Sequence, residues 1–258
     1  MDILARAFLL SLTLVTLLSL LGVAPYRDEF RSWPRRLAAL GLWLSILAVV
    51  VCFPLASGGR HELDEPVAPA LPALFVGHAL MSAFLLAWWA LRGDQRFLDF
   101  LHLRWTPELL RSRLLLGVFA GLAGWVITIA ATGVVAGLWV ETSGALPPTQ
   151  VPPVLAWIAN LSFGQKAAIV FVAMTVEEAF FRGFLQPRLG LLGASVCFAL
   201  SHFNYGLPFL VVGVFVVSLF LGWLFQRTGH LLPCIVAHGV FDAVQLFLVL
   251  PWAVRQVL

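Results

Sequence analysis

The amino-acid sequence predicts an all-α protein, a polytopic membrane helix bundle with about eight transmembrane helices. The composition, the length of the apolar runs and the placement of the basic residues support this prediction. Of the 258 residues, 61% are hydrophobic and 11% are charged, whereas soluble domains are about 45–50% apolar and about 25% charged. A chain this apolar cannot cover its surface with polar groups, so it needs lipid as its solvent.

The apolar runs are long enough to cross about 30 Å of hydrocarbon. We place them at 3–23, 37–56, 70–91, 114–139, 164–186, 190–204, 207–226 and 230–250. The first run is long and its flank is not clearly basic, which favours a retained span over a cleaved signal peptide. A short apolar piece at 154–161, opened by Pro152 and Pro153, is expected to lie along the surface.

Basic residues are concentrated in alternate loops, and this predicts the orientation. The Arg-rich loops hold Arg27, Arg31, Arg35, Arg36, Arg92, Arg96, Arg104, Arg111, Arg113, Arg188 and Arg227. The opposite side has fewer basic residues and an acidic patch of Glu62, Asp64 and Glu65. The Arg-rich loops are therefore expected in the cytoplasm and both termini outside. The compact loops and the absence of targeting signals favour a bacterial inner (plasma) membrane.

Residues 92–113 are compatible with two structures. Phe97, Leu101 and Trp105 recur at helical spacing, which is typical of a cytoplasmic amphipathic helix, but an ordinary solvated loop fits equally well. The net charge of +3 is small and the basic residues are scattered, so no nucleic-acid partner is expected. The cysteines are odd in number and lie in apolar runs, which indicates buried thiols rather than a disulfide framework.

Ionisable residues inside the predicted spans are concentrated in the last third of the chain, where each is costly to bury in lipid. They are Glu177, Glu178, Arg182, His202, His238 and Asp242. The first four predicted spans are nearly free of such groups. The exception is His78 in the third span, which we interpret as a hydrogen-bonded core residue.

Helical spacing predicts how these groups are oriented. Glu178 and Arg182 are four residues apart and share a face, so they are expected to pair. His238 and Asp242 share a face for the same reason. Glu177 is rotated about 100° from its neighbour, so the two carboxylates point in different directions. One carboxylate can then be held by the arginine while the other faces a cavity.

The same groups are predicted to lie at a similar depth. With a turn at Gly190 and about 1.5 Å per residue, Glu177 lies roughly 15 Å and His202 roughly 18 Å from that turn. His238 and Asp242 lie roughly 12 and 18 Å into the last span from the same side. Four polar groups from three helices thus converge, which residues scattered for structural reasons have no need to do.

Several kinds of chemistry are open to this set. A buried carboxylate beside a histidine can take a proton from water, and a second histidine with an aspartate can stabilise an oxyanion. The same residues have the composition of a zinc site, although an HExxH arrangement is absent. There are two further alternatives: the residues form a proton or ion relay in a transporter, or they form a polar network that only holds the helices together.

Three motifs in this region match a known pattern. Thr175–Gly183 contains an EExxxR motif, Phe198–His202 an FxxxH motif and His238–Asp242 an HxxxD motif. From about residue 155 to 250, the chain resembles the CAAX protease and bacteriocin-processing family of intramembrane endopeptidases. It is most similar there to type II CAAX prenyl endopeptidases and their bacterial relatives.

The resemblance implies a site in a cavity within the bilayer and assigns a role to each residue. Glu177 and His202 activate water, and His238 and Asp242 stabilise the oxyanion. Glu178 and Arg182 are implied to be the supporting pair. The third motif ends in Asp242, where the prenyl-protein processing enzymes carry Asn, and Asp donates a hydrogen bond only when protonated. No cofactor is expected, and zinc is possible only if the residues act as a metalloprotease.

We therefore expect two regions: N-terminal transmembrane helices without a motif at 1–150, and a catalytic transmembrane region at 151–258. The predicted activity is endopeptidase cleavage of a membrane-anchored peptide or protein within the lipid bilayer. The alternative is a non-catalytic membrane scaffold or a bacteriocin-immunity or regulatory protein.

Overall fold

A computed structural model describes residues 2–57, 71–103, 107–144, 153–203 and 208–257. Every regular element in these segments is a helix, and they contain no strand, which confirms the all-α prediction. The helices are α1 (Ile3–Leu20), α2 (Pro25–Asp28), α3 (Trp33–Leu47), α4 (Phe53–Ala56), α5 (Leu71–Leu74), α6 (Val76–Arg92), α7 (Phe97–Phe100), α8 (Pro107–Ser143), α9 (Pro153–Ala159), α10 (Phe163–Glu178), α11 (Gln186–Ser201), α12 (Pro208–Thr228), α13 (Leu231–Val244) and α14 (Leu250–Val257). π-Helical segments at Ala48–Cys52, Ala179–Leu185 and Gln245–Val249 join three pairs of them.

The helices form a polytopic membrane bundle, as the apolar runs predicted. Among the described residues, five helical stretches are long and apolar enough to cross a membrane. They are Ile3–Leu20, Trp33–Ala56, Leu110–Ser143, Leu210–Thr228 and Leu231–Gln256. The helix Val76–Arg92 is apolar but shorter. Large apolar side chains on α1 and α8 are exposed on the outside of the bundle, as expected for surfaces that face lipid.

The segment between the third and fourth predicted spans is not one amphipathic helix. Gly93, in the left-handed conformation with φ of 67°, ends α6. Between Gly93 and residue 103, only Phe97–Phe100 is helical, and the next described helix, α8, begins at Pro107. Arg104 and Trp105, and the acidic patch predicted at 62–65, lie outside the described residues.

A break in the helix at Gly190 separates the predicted fifth span from the predicted sixth span. The helix runs from α10 through a π-helix into α11, and Gly190 interrupts α11 with φ of 73° and ψ of 176°. This backbone conformation is readily adopted only by glycine. The turn predicted there is therefore confirmed, while Pro187 lies in the first turn of α11, where proline is tolerated.

Aromatic rings pack the N-terminal helices against the π-helix that follows α10. Phe84 of α6 meets Phe184 edge to face, with ring centroids 4.9 Å apart, and Trp88 meets the same ring at 5.1 Å. The ring centroid of Trp43 in α3 lies 6.0 Å from that of Phe184. Edge-to-face pairs contribute about 0.5–1.5 kcal/mol beyond area burial. The regions 1–150 and 151–258 thus share one core rather than folding as independent units.

One end of the bundle carries an ion-pair network. Glu29, after α2, accepts from Arg188 Nε at 2.7 Å, from Arg92 Nη1 at 3.2 Å and from the Trp88 indole at 3.1 Å. Three segments predicted to lie on the same, Arg-rich side of the membrane are therefore in contact. The Arg188 guanidinium also lies 3.8 Å from the centroid of the Phe184 ring.

Glycines let α8 and α13 approach closely. A Cβ atom added at Gly121 would lie 2.6 Å from the Ala237 carbonyl oxygen, and one added at Gly117 would lie 2.6 Å from Val236 Cβ. Small residues four apart are a common interface between membrane helices because they allow close backbone packing. The position of α13, which carries His238, depends on this contact.

Candidate active site

Two adjacent glutamates, Glu177 and Glu178, end α10 and are both buried. The start of this helix is set by a capping box, in which the side chains of Ser162 and Gln165 each accept from the other residue's backbone N–H. At its other end, the chain passes without a break into the π-helix Ala179–Leu185, whose residues are all buried. Short π-helical segments are frequent at functional sites.

Glu178 pairs with Arg182, as the spacing of the two residues predicted. Glu178 Oε1 accepts from Arg182 Nη1 at 2.6 Å, and only 0% and 1% of the two side chains are exposed. Arg182 Nη2 also donates to the hydroxyl of Ser218 at 3.1 Å and to its carbonyl at 3.3 Å. The guanidinium lies 4.6 Å from the centroid of the Phe198 ring. Further hydrogen bonds are what make a buried ion pair tolerable. The arginine has them, whereas Glu178 Oε2 is buried without a hydrogen-bond partner among the described residues.

His238 lies between two carboxylates. Its Nδ1 is 2.8 Å from Glu178 Oε1, and its Nε2 is 3.3 Å from Asp242 Oδ2. The shared face predicted for His238 and Asp242 is confirmed, but the contact with Glu178 was not predicted. Glu178 Oε1 therefore joins α13 to the arginine of the π-helix.

Glu177 points away from this group, as its rotation from Glu178 predicted, and contacts His78 of α6. Glu177 Oε1 lies 3.0 Å from His78 Nε2, while His78 Nδ1 lies 3.2 Å from the Leu74 carbonyl oxygen. His78 is hydrogen-bonded, as expected of a core residue, but its contact with Glu177 was not predicted. The signal that pointed to it was an ionisable side chain in an otherwise apolar helix.

His202 caps the C-terminus of α11 next to this carboxylate. Its Nδ1 lies 2.8 Å from the Phe198 carbonyl oxygen and 3.0 Å from the Ser201 hydroxyl, and its ring lies 4.7 Å from that of Phe198. His202 and His238 are both close enough to interact electrostatically with Glu177. The buried carboxylate thus contacts the imidazole of His78 and lies within electrostatic range of the imidazoles of His202 and His238.

In the described part of the chain, no three His, Cys, Asp or Glu side chains are grouped in a way that could hold a metal ion. The Nδ1 atoms of His78, His202 and His238 all have hydrogen-bonding partners within the protein. The expectation that no cofactor is needed stays a prediction.

Comparison with known proteins finds one family for this region. Residues 159–244 match the family model described as "Type II CAAX prenyl endopeptidase Rce1-like". The chain is also 39% identical over 80 residues to the "Uncharacterized protein YpbD" of Bacillus subtilis (strain 168). That alignment covers 30% of this chain and 42% of the Bacillus protein. No solved structure matches the chain. Over residues 159–244 the chain is therefore similar to the Rce1-like type II CAAX prenyl endopeptidases, the resemblance that the three motifs predicted.

Proposed function

We propose that this protein is an intramembrane endopeptidase that hydrolyses a peptide bond of a membrane-anchored protein, with Glu177 as the general base. The observation that supports this most directly is the environment of Glu177. The carboxylate is buried within the bundle, contacts the imidazole of His78 and lies within electrostatic range of the imidazoles of His202 and His238. Glu178, by contrast, is bound directly to Arg182, with His238 as its second partner.

In the proposed reaction, Glu177 and His202 activate a water molecule. Glu177 takes a proton from the water while the water oxygen attacks the carbonyl carbon of the scissile amide. His202 positions that water, and its own ring is held by the Phe198 carbonyl at 2.8 Å. When the C–N bond breaks, the proton on Glu177 passes to the leaving amine nitrogen. The products are a free carboxylic acid and an amine.

His238 and Asp242 are the proposed stabilisers of the oxyanion. Both ring nitrogens of His238 face carboxylates, so as an imidazolium the ring carries an N–H at Nδ1, toward Glu178, and a second N–H at Nε2. The contact of Nε2 with Asp242 Oδ2 is long, at 3.3 Å, which leaves this second N–H to share with a substrate oxygen. Asp242 orients the imidazole, and donates a hydrogen bond itself only when it is protonated. Glu178 holds the other ring nitrogen at 2.8 Å, so the ring cannot turn away from the substrate.

The proposed substrate is a peptide segment tethered to the membrane, since a site among membrane helices is reached most easily from the bilayer. The network of Glu29, Arg92 and Arg188 marks the Arg-rich end of the bundle. By the positive-inside rule we assign this end to the cytoplasm and both termini to the outside of a bacterial inner membrane.

The test is cleavage of membrane-tethered fluorogenic peptides by the purified protein in lipid nanodiscs. The panel contains peptides with a prenylated C-terminal Cys-aliphatic-aliphatic-X tail and peptides with an apolar helical anchor. Glu177→Gln is expected to lower kcat by at least about 100-fold, the usual contribution of a general base. Glu141→Gln, an exposed carboxylate near the end of α8, is the matched control and should retain full activity.

Three outcomes separate the alternatives. Full activity of Glu177→Gln would rule out the glutamate mechanism. Loss of wild-type activity with a chelator and recovery with zinc would move Glu177, His202 and His238 to ligand roles. If no peptide is cleaved, and a strain with Glu177→Gln keeps the phenotype of the wild type, the protein is a non-catalytic scaffold or an immunity or regulatory protein.

A further inference from the structure

The contact between His78 and Glu177 has no counterpart in the three sequence motifs. His78 lies in α6, outside the family match at 159–244, and is 99 residues from Glu177 in sequence. Its Nε2 is 3.0 Å from Glu177 Oε1, and the two side chains are only 18% and 10% exposed. The N-terminal region thus supplies a polar group that touches the proposed general base.

The hydrogen-bond partners of His78 define where protons must be. Nδ1 lies 3.2 Å from the Leu74 carbonyl oxygen, which can only accept, so Nδ1 carries a hydrogen. A neutral imidazole then has a bare Nε2, which cannot donate to a carboxylate. The contact with Glu177 therefore holds one proton, either on Nε2 of an imidazolium or on Oε1 of a neutral carboxyl group.

Only the first of these two states suits a general base. A carboxyl group that is already protonated cannot take a proton from water, whereas a carboxylate with a donor on Oε1 still has Oε2. Among the described residues, Glu177 Oε2 makes no hydrogen bond. The imidazolium state also places a positive charge next to a carboxylate that is costly to bury in a membrane protein.

We propose that His78 is a positioning residue for Glu177, which donates from Nε2 to Oε1 and so directs Oε2 toward the attacking water. This role rests on the proposed function of Glu177. His78 does not touch the reacting atoms and acts through the carboxylate. The N-terminal helices are then part of the active site, although they carry no family motif.

The packing of α6 holds His78 in this place. Phe84, on the same helix, meets Phe180 at 5.8 Å and Phe184 at 4.9 Å, so α6 is joined to the π-helix that follows Glu177. The ring of Phe75 lies 6.2 Å from the imidazole. Phe84 thus anchors α6 on the C-terminal side of the contact and Phe75 packs against the imidazole itself, which together keep Nε2 within hydrogen-bonding distance of Glu177.

Other titratable groups surround the pair and bear on any pH dependence. His202 of α11 and His238 of α13 both interact electrostatically with Glu177, and His238 also interacts with His78. Glu178, next in sequence, is bound to Arg182 and His238. A pH profile of activity therefore reports on several groups, and the test needs a signal from His78 itself.

The first experiment needs no substrate. The protein labelled with ¹⁵N-histidine is studied by NMR in nanodiscs at pH 7, and the His78 signals are identified by their loss in His78→Gln. Both ring nitrogens of His78 are expected to carry a proton in the wild type, and Glu177→Gln is expected to release the proton from Nε2. Glu141→Gln should leave these signals unchanged. His78 signals that do not respond to Glu177→Gln would overturn the proposal.

The second experiment uses a peptide that the wild type cleaves. His78→Leu is expected to lower kcat by about 10- to 100-fold, the usual effect of losing a group that orients a catalytic residue, with KM changed less than about twofold. His78→Gln should recover part of this loss, because its amide can still donate to Oε1, and the acid limb of the kcat profile should move in both variants. Ser82→Ala, one turn further along α6, is the control.

The two experiments separate the proposals. An unchanged kcat in His78→Leu would overturn the positioning role, as would an equal loss in His78→Gln and His78→Leu with no change in the pH profile. If the wild type cleaves no peptide and a Glu177→Gln strain keeps the wild-type phenotype, the proposed function fails, and the NMR experiment alone decides whether His78 holds Glu177.

Discussion

At the scale of single residues, Glu178 and Arg182 show how the bundle accommodates a charge away from water. Glu178 Oε1 receives hydrogen bonds from two partners, Arg182 at 2.6 Å and His238 at 2.8 Å. Arg182 in turn is satisfied by Ser218 of α12. The pair therefore connects the π-helix with α12 and α13.

Removal of this arginine should cost more stability than removal of the proposed base. Arg182→Ala leaves Glu178 buried without its main counter-ion, a loss of about 3–5 kcal/mol in comparable buried pairs. Glu177→Ala removes a charge and leaves His78 able to become neutral, so its effect should be smaller. Thermal unfolding of both variants in the same detergent measures the difference, and equal midpoints would argue against the structural role of the pair.

At the scale of helices, the contact between α8 and α13 determines where His238 and Asp242 lie. The two helices approach at Gly117 and Gly121, where an added Cβ would meet α13 at 2.6 Å. At Gly121 the added Cβ would clash with the backbone carbonyl oxygen of Ala237. This oxygen is fixed in the backbone of α13, so it moves only if α13 moves. A side chain at this position must displace α13 and with it the residue next to Ala237, His238.

Gly121→Ala should therefore destabilise the protein by about 1–3 kcal/mol, the usual cost of overpacking. It should also lower any cleavage activity, because His238 moves relative to Glu178. Gly133→Ala is the matched control on the same helix, since an added Cβ there has nothing within 4 Å. It should be neutral or slightly stabilising, since alanine favours helix by about 1 kcal/mol. Equal unfolding midpoints for the two variants would contradict this account of the interface.

At the scale of the whole molecule, the N-terminal helices and the Rce1-like region form one structure. They are joined by the aromatic rings around Phe184, by the contact of His78 with Glu177, and by Glu29 with its two arginines. Residues Glu29 and Arg188 are 159 positions apart in sequence. A fragment limited to 151–258 would lose all three connections and is not expected to hold Glu177 in the same environment.

Glu29→Ala should lower the stability of the whole protein. The change leaves Arg92 and Arg188 without their shared carboxylate in a partly buried position, at a cost of about 1–3 kcal/mol. Asp28→Ala is the control, because its ion pair with Arg27 is exposed and such pairs contribute about 0–1 kcal/mol. Unfolding monitored by tryptophan fluorescence compares them, and a Glu29→Ala midpoint as high as that of Asp28→Ala would show that the network does not hold the two regions together.

The sequence by itself determined the class of the protein, most of its helices and the local pairs of the site. Lipid requires long apolar helices, so hydrophobic runs identify them directly. The pairing of Glu178 with Arg182 and the shared face of His238 and Asp242 follow from the helical period within one element. The Rce1-like region was recognisable for the same reason, since its motifs are short and local.

Only the tertiary structure decided which helices bring their polar groups together. The contacts of His78 with Glu177 and of His238 with Glu178 join residues 99 and 60 positions apart. Such contacts depend on the crossing and rotation of helices that are not neighbours in sequence. These in turn depend on side-chain packing, such as glycines against α13 and phenylalanines against the π-helix. No periodicity within one helix encodes that geometry, so the sequence did not predict that Glu177 is the partner of His78.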